Sequence, residues 1–214
     1  MTRADGKSAP VRQIALPLAP SLGQAGRIVV GNANEAAIAA LGSAQDWPFR
    51  TAVLVGAQGS GKSLLARWFA EQGGGDVVDD ADRMEETALF HRWNRAQEEQ
   101  RPLLLTATAR DGGWQIALPD LRSRLGAALW LEIGVPDDAM MEDLIAVHCE
   151  TRALPIGADG WRYLASRCER SHMGAERLVA VIDRLSLERK APPGQSIWRE
   201  ALEEINGPAE PKLF

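Results

Sequence analysis

At 214 residues, with 24 Lys and Arg against 29 Asp and Glu and a net charge of -5, the chain is too acidic to read as an autonomous DNA-binding protein. Affinity for nucleic acid comes mainly from surplus cations that neutralise phosphates, and here the surplus is of carboxylates. A 45% hydrophobic and 25% charged composition belongs to a globular protein with a core, and the length admits one domain plus a small appended subdomain.

In chain order, residues 1–12 are small and polar and read as a loose tail. Gln13 to Pro20, QIALPLAP, is an apolar island whose two prolines argue for an extended segment instead of a helix. Folded structure is predicted from Arg27. A helix over 34–41 and a buried strand over 51–55 lead into a glycine-rich loop, followed by a helix over 63–71 and a glycine triplet at 73–75. Short strands at 77–78, 102–106 and 129–133 and a helix over 85–99 complete an alternation of strand and helix. That alternation is the pattern of an α/β fold with a parallel sheet. After Pro136 the reading is all helical, with amphipathic stretches at 137–151, 159–168, 175–189 and 195–205. The chain divides into a tail (1–24), an α/β nucleotide-binding subdomain (25–134), a helical lid (135–206) and a second loose tail (207–214).

The segment GAQGSGKS, from Gly56 through Ala57, Gln58, Gly59, Ser60, Gly61 and Lys62 to Ser63, fits GxxxxGK[ST] at every fixed position, between a strand and a helix. Glycines let the backbone approach phosphate oxygens with its N–H groups, and the N-terminus of the following helix, with Leu64 in its first turn among the nucleotide-binding residues, adds partial positive charge. The motif predicts a bound purine nucleotide, ADP or ATP, with Lys62 on the outer phosphates and Ser63 on Mg²⁺. Val77-Val78-Asp79-Asp80 is the Walker B candidate: Asp79 is assigned to Mg²⁺ and Asp80 to polarising an attacking water. Cys149 and Cys168 lack CxxC spacing, and His91, His148 and His172 are isolated; they read as reduced thiols and ordinary histidines. No apolar run can span a bilayer and no signal peptide opens the chain, so a soluble cytoplasmic protein without membrane partners is expected.

A P-loop core followed by a helical subdomain resembles the AAA+ ATPases, and further segments resemble the DnaA branch of them. Arg27 to Leu41, RIVVGNANEAAIAAL, is similar to the DnaA segment that lies against adenine, which implies contacts from Val30 and Gly31. LFHRWN at 89–94 and LLLTATA at 103–109 resemble the helix and sensor-1 strand of that family, with Thr108 at the sensor position. LPDLRSRL at 118–125 resembles the stretch that carries the arginine finger, which puts on Arg124 the role of completing a neighbouring subunit's site, with Arg122 as the uninvolved control. The QIALPL peptide resembles the hexapeptide by which bacterial proteins dock on the DNA polymerase III sliding clamp. Gln13 would hydrogen-bond at the pocket rim while Ile14, Leu16, Pro17 and Leu18 present an extended apolar edge.

This combination resembles the Hda family, DnaA-related regulatory inactivators of DnaA. The resemblance implies the clamp and DnaA as partners, weak or no ATPase activity of the chain's own, and self-association as a possible homodimer. Three departures accompany it. The chain ends after the lid, so no sequence-specific DNA binding is expected. The usual strand-helix unit between the P-loop helix and Walker B is missing, which predicts four strands. The sensor-2 arginine falls near Met173, leaving Arg177, one turn on, as the replacement. The alternatives are a DnaC-like helicase loader, which would carry a basic N-terminal domain, and a small P-loop phosphotransferase, which would carry an acceptor site and an arginine-bearing lid in the core.

Overall fold

The computed structural model describes residues 27–108 and 113–207; the clamp-like peptide Gln13 to Leu18 and the closing tail lie outside these described residues. Among them, four strands form one parallel sheet in the order β2-β3-β1-β4. They are β1 (Thr51–Gly56), β2 (Asp76–Val78), β3 (Leu103–Thr108) and β4 (Leu129–Ile133). The expected four strands are found, and β3 runs two residues beyond its predicted end. In register, Gly56 at the end of β1 lies beside Thr108 of β3 and Ile133 of β4. The C-terminal strand ends therefore line up along one edge, where open α/β sheets build their sites.

Helices cover both faces of the sheet, which is why β1 is buried almost end to end instead of alternating. Ala52 and Leu54 of β1, with Leu104 of β3, enter a core shared with α1 (Glu35–Leu41) and α2 (Lys62–Glu71). Val53 of β1 and Leu103, Leu105 and Ala107 of β3 face the opposite core, formed with α3 (Glu86–Glu98) and α4 (Pro119–Gly126). The starts of α3 and α4 have local reasons. Glu85 accepts hydrogen bonds from the N–H groups of Thr87 and Ala88 ahead of α3, and Pro119 opens α4 where a missing N–H costs nothing.

The lid consists of α5 (Asp138–Thr151), α6 (Ala158–Ala165), α7 (His172–Arg189) and α8 (Gln195–Asn206). Asp137 caps α5 by accepting from Met140 N–H. Met141, Leu144, Ile145, Leu178, Ile182 and Ile197 carry the lid into the same core as α1 and α2. The expected start of α7 at residue 175 moves forward to His172 because the Ser171 hydroxyl accepts from Gly174 N–H, a cap that hydrophobic periodicity alone does not reveal. This earlier turn matters, since it brings His172 and Met173 onto the P-loop. Among the described residues no helix is long and apolar enough to cross a membrane.

Candidate nucleotide-binding site

The loop between β1 and α2 turns through Gly59 and Gly61, whose φ angles of 74° and 97° lie in the left-handed region that side chains disfavour. Gly59 is required twice over. A Cβ there would come within 2.5 Å of Met173 Cβ, and the Met173 N–H donates to Gly59 O at 3.0 Å, so α7 rests directly on the loop. Lys62 is only 6% exposed, and its ammonium donates to the carbonyls of Gly56 and Ala57 at 3.0 and 2.9 Å. Burial pulls its pKa below the ordinary lysine value, while Asp80, Asp82 and Asp79, in that order, act to raise it.

Across from the loop, Thr106 is fully buried in the apolar body of β3 and organises the acids. Its hydroxyl donates to Asp79 Oδ1 at 2.5 Å and accepts from Asp80 N–H at 2.8 Å. Asp80 itself sits at φ 50°, and its carboxylate meets Arg83 at 3.4 Å. A polar side chain in a buried strand needs a partner, which is the sequence signal that could have singled out Thr106.

A cleft of about 320 Å³ is bounded by the loop from Gln58 to Leu64, by Asp80, Arg83 and Thr108, and by His172, Met173 and Glu176 of the lid. Of the two Walker B candidates, Asp80 lines this cleft, while Asp79 is held by Thr106. On the lid, His172, Met173 and Glu176 fall on one side of the first turns of α7. Arg177, the next residue round the helix, is exposed and does not line the cleft. Arg83, His172 and Glu176 were missed by sequence reasoning; only the odd arginine in the acidic run DDADR hinted at the first.

These residues fit a phosphate chain. Two left-handed glycines open the backbone, a helix N-terminus follows, and the Ser60 hydroxyl is buried without a protein hydrogen-bond partner. Ser63, exposed on the first turn of α2, and Asp80 supply oxygen donors suited to a divalent ion.

Beyond Gly61 the cleft continues as a slot between Val29, Ala33, Asn34, Met140, Leu144 and His172. Asn34 shapes its wall by donating to Val29 O and accepting from Gly31 N–H. Gly31 packs on Met140, which a Cβ would meet at 2.8 Å, while Val30 lines a separate cleft with Arg27, Asp143 and Trp161. The slot holds only about 20 Å³, room for one water, so a purine base enters it only if lining side chains part. His148 and His172 meet edge to face at 5.2 Å behind it. Burial first, then His172, pushes His148 down to about 4; burial likewise lowers His172.

Arg124 lies on α4, away from the residues that line the cleft. Its guanidinium stacks over the rings of Trp93 at 4.3 Å and Phe90 at 5.0 Å, both on α3. Arg122 instead donates to the carbonyls of Ile116 and Ala117, fixing the entry to α4. Cys149 and Cys168 are free, and burial raises both thiols to about 11, which leaves them inert.

A parallel sheet with a P-loop at its C-terminal edge and a helical lid packed on that loop define an AAA+ fold. Solved structures agree. The chain is similar to domain III of the Thermotoga maritima replication initiation protein DnaA, with a TM-score of 0.73, 14% identity, 85% of this chain covered and 95% of that one. It is also similar to the T. maritima RuvB Holliday junction branch migration motor, at a TM-score of 0.60 and 21% identity over 83% of this chain and 70% of that one. The replication initiator DnaA bound to AMPPCP and single-stranded DNA matches at a TM-score of 0.59 and 17% identity, over 75% of this chain and 65% of that one. No family model matches the chain, and no curated protein matches it by sequence.

Proposed function

We propose that this chain is a nucleotide-binding regulator of replication initiation that acts on DnaA. The cleft would hold a purine nucleotide with Mg²⁺, ADP in preference to ATP, as a structural ligand, and the metal would supply positive charge beside its phosphates. Lys62 and the loop from Gly56 to Ser63 bind the phosphates, Ser63 and the Walker B acids hold the ion, and Thr108 and Asp80 lie at the reacting end. The lid residues Met173 and His172 exclude water from the loop. The peptide from Gln13 to Leu18 docks on the sliding clamp, and Arg124 completes the active site of an ATP-bound DnaA subunit.

The observation that carries this reading is the placement of Arg124 on α4, stacked on α3 and outside the cleft of its own chain. A guanidinium so placed has no phosphate to serve in cis, and an arginine supplied in trans is worth about 10³–10⁵ in rate to a nucleotide-hydrolysing site. The likeness in fold to domain III of DnaA supports reading the chain as a DnaA-like module. The test is single-turnover loss of ATP from DnaA with DNA-loaded clamp present. Arg124→Ala is expected to slow stimulated hydrolysis by roughly 3 orders of magnitude while leaving nucleotide and clamp binding intact. Arg122→Ala is expected to cost far less. An Arg124 variant as active as the parent protein overturns the mechanism.

A further inference from the structure

We propose that Arg83 is the second phosphate-binding cation of the cleft, exchanging its bond to Asp80 for the outermost phosphate of a triphosphate. The inference rests on the nucleotide-binding reading above and names a residue that reading does not use. Apart from Lys62, Arg83 is the one cationic side chain among the described residues that line the cleft. Lys62 serves the base of the loop, where its ammonium donates to the carbonyls of Gly56 and Ala57. The described lid residues that line the cleft, His172, Met173 and Glu176, include neither lysine nor arginine. Burial lowers the pKa of His172 against the opposing pull of Glu176, so the imidazole is a poor stand-in for a fixed cation.

Arg83 therefore takes up a task that the lid leaves open. It stands beside Asp80 and Thr108, at the Walker B side of the cleft, where the outer end of a phosphate chain cradled by the loop would lie. Its present bond is weak enough to exchange. The Asp80 contact is 3.4 Å long, between side chains 60% and 46% exposed, so solvent screens it and little is lost when the guanidinium turns to a better acceptor. A planar guanidinium then meets a phosphate with paired N–H donors, the geometry it suits best. Releasing Asp80 has a second consequence. Its carboxylate, no longer shared with Arg83, is then free to face a divalent ion or a water in the same cleft. Glu176 faces the cleft from the lid and opposes a third phosphate unless Arg83 compensates, so the balance between these two sets how the site distinguishes diphosphate from triphosphate.

The test is isothermal calorimetry of the full chain with Mg·ADP and with Mg·AMPPCP, a non-hydrolysable triphosphate, comparing the parent with Arg83→Gln, Arg177→Gln and Lys62→Ala. Arg83 is exposed, so its variants keep the fold, which a melting curve checks. Arg83→Gln is expected to weaken AMPPCP binding by about tenfold or more while changing ADP binding less than about threefold, the scale of one charge-assisted hydrogen bond. Arg177→Gln is expected to leave both affinities unchanged. Equal AMPPCP affinity in the parent and Arg83→Gln, or a larger loss in Arg177→Gln, overturns the proposal. Lys62→Ala separates the two readings. If it binds both nucleotides as the parent does, the P-loop reading itself falls; if it loses both while Arg83→Gln loses neither, only the role of Arg83 falls.

Discussion

Replacing Gly59 by alanine measures how tightly the lid is seated on the P-loop. The residue sits at φ 74°, and the added Cβ would lie 2.5 Å from Met173 Cβ. Two costs follow. Holding an L-residue in the left-handed region costs about 1–2 kcal/mol. Forcing a methyl into an occupied contact costs about 1–3 kcal/mol, because either the loop or the first turn of α7 must shift. Gly59→Ala is thus expected to lose about 2–5 kcal/mol, at about 2–4 °C of melting temperature per kcal/mol for a chain of this size. The nearest atom is Met173 Cβ itself, so Met173→Ala would not relieve the clash, whereas Met173→Gly would. Met173→Gly alone costs about 1 kcal/mol for a glycine inside a helix. In a double-mutant cycle followed by urea unfolding, Gly59→Ala and Met173→Gly are expected to be subadditive by the clash term, about 1–3 kcal/mol. Strict additivity would mean that α7 does not rest on the loop, and the cleft between them would lose its roof.

Lys62→Ala is expected to abolish nucleotide binding in calorimetry, since the cation facing the phosphates and the hydrogen bonds to Gly56 and Ala57 are lost together; unchanged affinity would refute the site. Changing Gln13, Leu16 and Leu18 to alanine is expected to eliminate binding to the sliding clamp in a pull-down with almost no change in melting temperature, and a large stability loss would mean that the segment belongs to the core. His148 gives a pH dependence. Its folded pKa of about 4 lies below the value of 6.5 for an exposed histidine, so acid protonates the unfolded chain first. Stability is therefore full above about pH 6.5 and falls as pH drops toward 4, by on the order of 1–2 kcal/mol after discounting the part of the ring that solvent reaches. Glu85 and Glu99, whose pKa values lie below 4.5, add their losses only at lower pH. Melting curves between pH 7 and 4.5 are expected to flatten in His148→Phe, and an unchanged slope would show that the ring titrates normally.

The sequence by itself determined what is local and periodic. GxxxxGKS is contiguous, and glycine at 59 and 61 is the direct chemical answer to left-handed backbone, so the loop could be read from residue types alone. The strand-helix alternation and the four lid helices follow from hydrophobic period, and four strands from the short span between α2 and Asp79. The order β2-β3-β1-β4 was not legible, because pairing joins segments far apart in sequence and the central place of β1 depends on which faces find helices. The same holds for the fine assignment of the acids. Asp79 and Asp80 are equivalent as letters, and only Thr106, a residue of another strand, ties up the first and leaves the second facing the cleft. On the lid, the Ser171 cap sets the phase of α7, and one residue of helical rotation decides that Glu176 and not Arg177 lines the cleft. Nor could the chain order foretell that Arg124 would be held over Phe90 and Trp93, since that contact exists only when α3 and α4 pack on the same face of the sheet.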